Sequence, residues 1–207
     1  MNNLSTELKD LKEKYRKIFQ QTSEEILAIL QKEQDNPLWQ KISIKNLTEY
    51  KTQQTKILIQ QINSIREQYN CQGCGTCCKF AVSEYSPKEL EQKANDGDNF
   101  AKQFISTFIP YENIDEVKTI YPQYVELLMK NETLNYYFYH CPKVTSNNRC
   151  PDYKNRPQIC KDFPDNPIAF LPKTCGYKNW KVNSEALWFR LNAIVEITSY
   201  YIEQLKT

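Results

Sequence analysis

The chain has 207 residues, which is enough for a domain to bury a hydrophobic core without disulfide bonds. Its 27 lysine and arginine residues against 25 aspartate and glutamate residues leave a formal net charge of +2, which excludes a whole-chain attraction to nucleic acid or anionic membranes. Because no apolar stretch approaches the roughly 20 residues of a transmembrane helix and the first residues lack a signal-peptide pattern, we expect a cytoplasmic protein with no membrane contact.

The N-terminal third of the chain shows the spacing of amphipathic helices. Apolar residues recur every three or four positions on both sides of Pro37, with lysine, glutamine and glutamate between them. Pro37 separates the two stretches, because proline removes a backbone donor from a helix. We predict an antiparallel helical hairpin over residues 1–68. It either packs on its own domain, which we favour, or acts as an arm that binds a protein partner.

Several short helices are predicted in the segment after the hairpin. Ser86, Pro87 and Glu89 have the composition of a capped helix start, and Asp98 is the predicted cap of a second helix. A third helix is predicted around residues 124–128, where four apolar residues fall within five positions. The aromatic run that follows, at residues 136–139, is typical of a short strand.

A proline-rich segment comes next. Five of the ten prolines lie between Cys141 and Pro167, which indicates irregular loops that need a cross-link other than backbone ladders. From Ser184, which we predict to be a helix cap, apolar residues at helical spacing mark a closing helix. We therefore predict a mainly α protein in which a loop-rich cysteine-cluster metal-binding domain over 69–182 follows the hairpin, and a C-terminal helix over 183–207 packs on this domain.

Eight cysteines carry the chemistry of the chain. In a reducing cytoplasm, clustered cysteines are more often metal ligands or catalytic thiols than disulfides. Cys71, Cys74 and Cys77 repeat every three residues, so one glycine-containing loop can present three thiolates to one centre, as zinc knuckles and ferredoxin-type clusters require. Since neighbouring side chains in a loop diverge, Cys78 either reaches a second centre or has another role.

The downstream cysteines are far apart in sequence. They are Cys141, Cys150, Cys160 and Cys175, separated by 8, 9 and 14 intervening residues. Two four-thiolate sites, one site with the remaining cysteines structural, and one polynuclear centre that draws on both groups all stay open. Residues 141–180 carry seven basic residues against three aspartates, a charge that would offset metal-bound thiolates or simply face solvent. His140, the only histidine, is interpreted as a neighbour of the site and not as a ligand.

These motifs resemble a known family. The run Cys71-Gln72-Gly73-Cys74-Gly75-Thr76-Cys77-Cys78-Lys79, then Tyr139-His140-Cys141-Pro142, then Cys150-Pro151-Asp152-Tyr153-Lys154-Asn155-Arg156-Pro157-Gln158-Ile159-Cys160-Lys161-Asp162-Phe163-Pro164, resembles the YkgJ-type cysteine-cluster proteins. The resemblance covers about residues 69–180 and implies a zinc- or iron-chelating domain. It also implies metal ligands at Cys71, Cys74, Cys77, Cys78, Cys141, Cys150 and Cys160, with Cys175 fitting a looser trailing cysteine. Similar patterns occur in flagellin lysine N-methylases.

Three functional hypotheses follow. We favour a metal-binding protein that holds an iron–sulfur cluster, ahead of zinc, through cysteine thiolates and serves in electron transfer or sensing. The second hypothesis is a structural zinc module that folds the proline-rich loops and presents the helical arm to a protein partner. The third is an enzyme, either one related to protein lysine N-methylases or one that uses Cys78 as a reactive thiol.

Overall fold

The computed structural model describes residues 3–32, 34–130, 135–165, 167, 169 and 171–207, with the backbone alone for residues 3–5. Its elements are α1 (Asn3–Gln31), α2 (Trp39–Arg66), α3 (Thr76–Lys79), β1 (Ala81–Ser83), α4 (Pro87–Asn95), α5 (Asn99–Thr107), β2 (Ile109–Pro110), α6 (Ile114–Ile120), α7 (Pro122–Met129), β3 (Tyr137–His140), α8 (Gln158–Asp162) and α9 (Lys178–Gln204). The predicted mainly α fold is confirmed, since most of the described residues lie in α-helices. Within the described residues, no helix is long and apolar enough to cross a bilayer.

The chain divides into two compact units. The three-helix unit comprises residues 1–70, 166–169 and 177–207, and the cysteine unit comprises residues 71–165 and 170–176. The division predicted from sequence, at 68/69 and 182/183, stays a prediction.

The three-helix unit is built by the packing of α9 on both α1 and α2. One part of its core contains Ile26, Leu47 and Ile197, and another part contains Trp180 and Ile62. The indole N–H of Trp180 donates to the Ile62 carbonyl oxygen at 3.2 Å, so this large buried side chain leaves no unpaired donor.

The predicted cap at Ser184 is wrong. Helix α9 already begins at Lys178, and Ser184 is fully buried in its interior. The Ser184 hydroxyl donates to the Trp180 carbonyl oxygen four residues earlier at 2.5 Å, which is how serine satisfies its hydroxyl inside a helix. The sequence pattern is ambiguous here because serine suits both a helix start and this internal bond.

The cysteine unit contains the only sheet among the described residues, in the antiparallel order β1-β3-β2. The strand expected in the aromatic run is therefore confirmed as the central strand. Leu90, Phe104 and Tyr139 form one core cluster of this unit, and Phe80 and Phe138 contribute to a second. These clusters fix the sheet from which the cysteine-bearing loops extend.

The two predicted helix starts in this unit are confirmed. The Ser86 hydroxyl accepts a bond from the Glu89 backbone N–H at 3.3 Å, and the Glu89 carboxylate accepts one from the Ser86 backbone N–H at 2.7 Å. The Asp98 carboxylate accepts a bond from the Ala101 N–H at 3.0 Å. Each cap therefore satisfies backbone donors that the first helical turn leaves free.

Candidate metal centre

The first cysteine motif lies on a loop that turns at two glycines. Gly73 and Gly75 have φ values of +68° and +72°, in the left-handed region that glycine adopts without steric cost. Gly75 directly precedes α3, and its carbonyl oxygen accepts bonds from the N–H groups of Cys78 and Lys79 at 3.1 Å each. The glycines therefore place Cys71 and Cys74 on the loop, and Cys77 and Cys78 on the short helix.

A turn at residues 145–149 packs against this loop. The Thr145 N–H donates to the Arg149 carbonyl oxygen and the Arg149 N–H to the Thr145 hydroxyl, both at 3.0 Å, which closes the turn. Arg149 also donates to the Gln72 carbonyl oxygen at 3.4 Å, and its guanidinium fills the space beside Gly73. A Cβ at Gly75 would lie 2.6 Å from the Cβ of Asn148. Only glycine fits at position 75, because the backbone there lies so close to Asn148.

Replacing Gly75 with alanine is expected to destabilise the cysteine unit. The left-handed backbone costs an alanine about 1–2 kcal/mol, and the clash with Asn148 adds about 1–3 kcal/mol of overpacking. Gly97→Ala is the matched control, since Gly97 also has a positive φ, +101°, but has open space around it. Urea unfolding followed by near-ultraviolet circular dichroism measures both variants. An equal loss in the two would contradict the close approach.

Cys71, Cys74 and Cys77 form the first thiol group. The Gly73 N–H donates to the Cys71 sulfur at 3.3 Å. The pKa of Cys77 lies well above its ordinary value because its thiol is hydrogen-bonded to Cys78. Burial and the negative charges of Cys78, Cys71 and Cys74 raise the Cys77 pKa further, so these thiols lie close enough to affect one another.

Cys74 and Cys175 both act electrostatically on Tyr121. The Cys175 backbone N–H closes a turn by donating to the Pro172 carbonyl oxygen at 2.9 Å. Burial raises the pKa of Tyr121 to about 12, and the negative charges of Cys74 and Cys175 add to this rise. The Tyr121 ring also contacts that of Phe80, with centroids 5.6 Å apart.

A second thiol group surrounds Cys160, which is on α8. Burial raises the pKa of Cys160 to about 11. The negative charges of Cys78, Cys141 and Cys150 add to the rise, whereas the Arg156 guanidinium opposes it. Cys141 is also tied directly to the first motif, because its N–H donates to the Cys78 carbonyl oxygen at 2.6 Å.

Arg156 is a cation near the second thiol group. Its guanidinium lies over the Tyr153 ring, 3.8 Å from the centroid, and its Nε donates to the Tyr153 carbonyl oxygen at 3.1 Å. The pKa of Cys78 is lowered to about 7, first by the hydrogen bond from Cys77 and then by Arg156, against the opposing effect of burial. Arg156 precedes Cys160 by four residues, and this spacing is the sequence signal that distinguishes Arg156 from the other basic residues.

His140 lies at the end of β3. It pairs with Ile109 in the sheet, and its ring contacts that of Tyr111 with centroids 4.5 Å apart. The interpretation of His140 as a neighbour of the site stays a prediction.

The eight cysteines fit a thiophilic metal by the chemistry of their donors. All are free thiols, and all are partly buried. Among the described residues, the structure shows no group of three histidine, cysteine, aspartate or glutamate side chains that is arranged to hold a metal ion. Thiolates are nevertheless the ligands that structural zinc and iron–sulfur clusters take, and backbone N–H groups and Arg156 offset their charge. The ligand roles predicted for the eight cysteines stay predictions.

Comparison with protein families agrees with this donor chemistry. The family model CxxCxxCC, described as "Putative zinc- or iron-chelating domain", matches residues 70–181, which contain all eight cysteines. Neither the curated proteins nor the solved structures give a match. The matched residues make up more than half of the chain. The chain belongs to the CxxCxxCC family.

Proposed function

We propose that the protein binds metal through the thiolates of the cysteine unit, and that the bound group is an iron–sulfur cluster used in electron transfer or sensing. The observation that carries this proposal is the bond between the Cys141 N–H and the Cys78 carbonyl oxygen at 2.6 Å, because it joins the first motif to the downstream cysteines. Family membership supports metal chelation, and cysteines spaced by three residues on a glycine loop favour a cluster.

The cysteines, the Gly73 backbone N–H and Arg156 have separate roles in this proposal. The cysteines would hold the cluster, which when bound supplies one-electron chemistry. The Gly73 N–H would donate to the sulfur of a metal-bound Cys71, and Arg156 would offset the negative charge of the second thiol group. Because the cysteines are partly buried, water and other thiols have limited access to their sulfur atoms.

A structural zinc module is the second candidate function. It is favoured by the segment from Cys141 to Pro157, which consists of turns and has no helix or strand of its own among the described residues. A zinc ion would hold such a segment in place, since metal-binding energy becomes folding energy. In this case α1 and α2 would serve a protein partner, for which the exposed Ile57 and Ile59 on α2 offer apolar contacts, with 45% and 47% of their surface accessible.

Metal analysis of protein purified without oxygen tests the proposed function. We expect iron and acid-labile sulfide in equal amounts, together with visible absorption that disappears when the cluster is removed. Colourless protein with stoichiometric zinc would contradict the cluster and support the zinc module. Protein that retains neither metal, with all thiols open to alkylation, would contradict metal binding itself.

A further inference from the structure

We propose that Gln103 is a positioning residue of the candidate metal centre, because its side-chain oxygen holds the N-terminal end of α8 and thereby fixes the place of Cys160. Gln103 lies on α5, and its partner in α8 is 56 residues away in the chain. This inference rests on the proposed metal-binding function and specifies how one of its thiols is held.

Helix α8 is too short to hold its own position. It has 5 residues, little more than one turn, and its N-cap residue Pro157 makes no side-chain cap bond. The Pro157 carbonyl oxygen closes the turn by accepting bonds from the N–H groups of Cys160 and Lys161 at 3.0 and 3.2 Å. The first N–H groups of a helix have no acceptor within it, and the Ile159 N–H is one of these. This donor therefore needs an acceptor from another element.

Gln103 supplies that acceptor from α5. Its side-chain oxygen accepts the Ile159 N–H at 3.0 Å, and the bond is partly buried. The Ile159 side chain packs on the core cluster that contains Phe104, the residue next to Gln103. Ile159 is thus attached at two points, through its backbone and through its side chain. Cys160 follows Ile159 directly, so the same two attachments fix its backbone.

The same core cluster supports the segment that leads to Cys141. Tyr139 on β3 is buried, and its ring contacts that of Phe104 with centroids 5.0 Å apart. The Tyr139 hydroxyl donates to the Tyr85 carbonyl oxygen at 3.0 Å. Cys141 comes two residues after Tyr139, just beyond the end of β3. Loss of the Gln103 acceptor would therefore loosen α8 without disturbing the buried rings that hold β3.

Alkylation of the full-length, metal-loaded protein tests this role. Gln103→Met keeps the length of the side chain and removes the acceptor, whereas Gln103→Glu keeps an acceptor oxygen. In Gln103→Met we expect the initial rate of Cys160 alkylation by N-ethylmaleimide to rise about 10-fold, because loss of one hydrogen bond raises the open fraction of α8 by about that factor. Gln103→Glu should keep the wild-type rate, and the Cys141 rate should stay unchanged in both variants. Peptide mapping by mass spectrometry measures each rate.

Gln92→Met is the matched control. Gln92 is an exposed glutamine on α4 that bonds to Asp96 at 3.0 Å, so its replacement should leave the Cys160 rate unchanged. If Gln103→Met does not keep the wild-type far-ultraviolet circular dichroism, Gln103→Asn takes its place, because the shorter side chain withdraws the acceptor.

Three outcomes would overturn the role of Gln103. They are an unchanged Cys160 rate in Gln103→Met, an equal rise in Gln103→Glu, and an equal rise at Cys141, which would indicate a general loss of stability. Each of these requires metal-loaded protein. Wild-type protein that holds no metal would instead refute the proposed function, and the two failures are therefore distinguishable.

Discussion

Removal of metal is expected to raise the amide exchange rates of the cysteine-bearing loops by about 100-fold or more, equivalent to about 3 kcal/mol of local stability. The affected peptides should cover residues 70–79 and 141–165, where short turns supply most of the backbone bonds. The reason is that binding energy in thiolate sites acts as folding energy, about 10–16 kcal/mol for structural zinc in small peptides. Hydrogen exchange with mass spectrometry, before and after chelation, measures the change.

Helices α1 and α2 provide the internal control for this experiment. Their cores consist of apolar side chains such as Ile26, Leu47 and Leu58, and they carry no cysteine. We expect their exchange to change by less than about 3-fold, equivalent to about 0.7 kcal/mol. If the amide exchange rates of the loops are equal with and without metal, the metal does not cross-link these loops. Restoration of the slow exchange on adding metal back would separate this effect from damage by the chelator.

Replacing Trp180 with alanine is expected to lower the free energy of unfolding of the three-helix unit by about 3–5 kcal/mol. The Trp180 side chain is 0% exposed and packs with Leu58, Ile62, Leu191 and Ile194. Its removal leaves a cavity and also leaves the Ile62 carbonyl oxygen without the indole donor. Urea unfolding followed by circular dichroism in the far ultraviolet measures the loss.

Val182→Ala is the matched control on the same helix. The Val182 side chain is 60% exposed, so its truncation should change stability by less than about 0.5 kcal/mol. Trp180→Phe should lie between the two, because it keeps the aromatic contact and removes the hydrogen bond. A loss below about 1 kcal/mol for Trp180→Ala would show that the site collapses around the smaller side chain.

Local sequence signals predict much of the secondary structure. The caps at Ser86 and Asp98 were predictable because each involves residues within one helical turn. Proline-containing breaks likewise account for the gap between α1 and α2. Strands β1 and β2 were not predicted, since they have 3 and 2 residues and exist only through their pairing with β3.

The candidate site depends more on long-range contacts than the helices do. Spacing alone brings Cys71, Cys74 and Cys77 together, because their separation is short. No local pattern indicates that the Cys141 backbone bonds to Cys78, or that Cys175 acts electrostatically on Tyr121, since these interactions join residues far apart in the chain. The surroundings of the downstream cysteines therefore cannot be read from local sequence and require the tertiary structure.

The order of the segments in the chain has a consequence for biosynthesis. Helix α9 follows the cysteine unit in sequence, yet it supplies Trp180, Ala193 and Ile194 to the core of the three-helix unit. During translation, α1 and α2 leave the ribosome without this partner, and the apolar faces that pack on α9 stay uncovered until every cysteine has been synthesised. The thiols therefore emerge into the metal pool of the cell before the helical core can close.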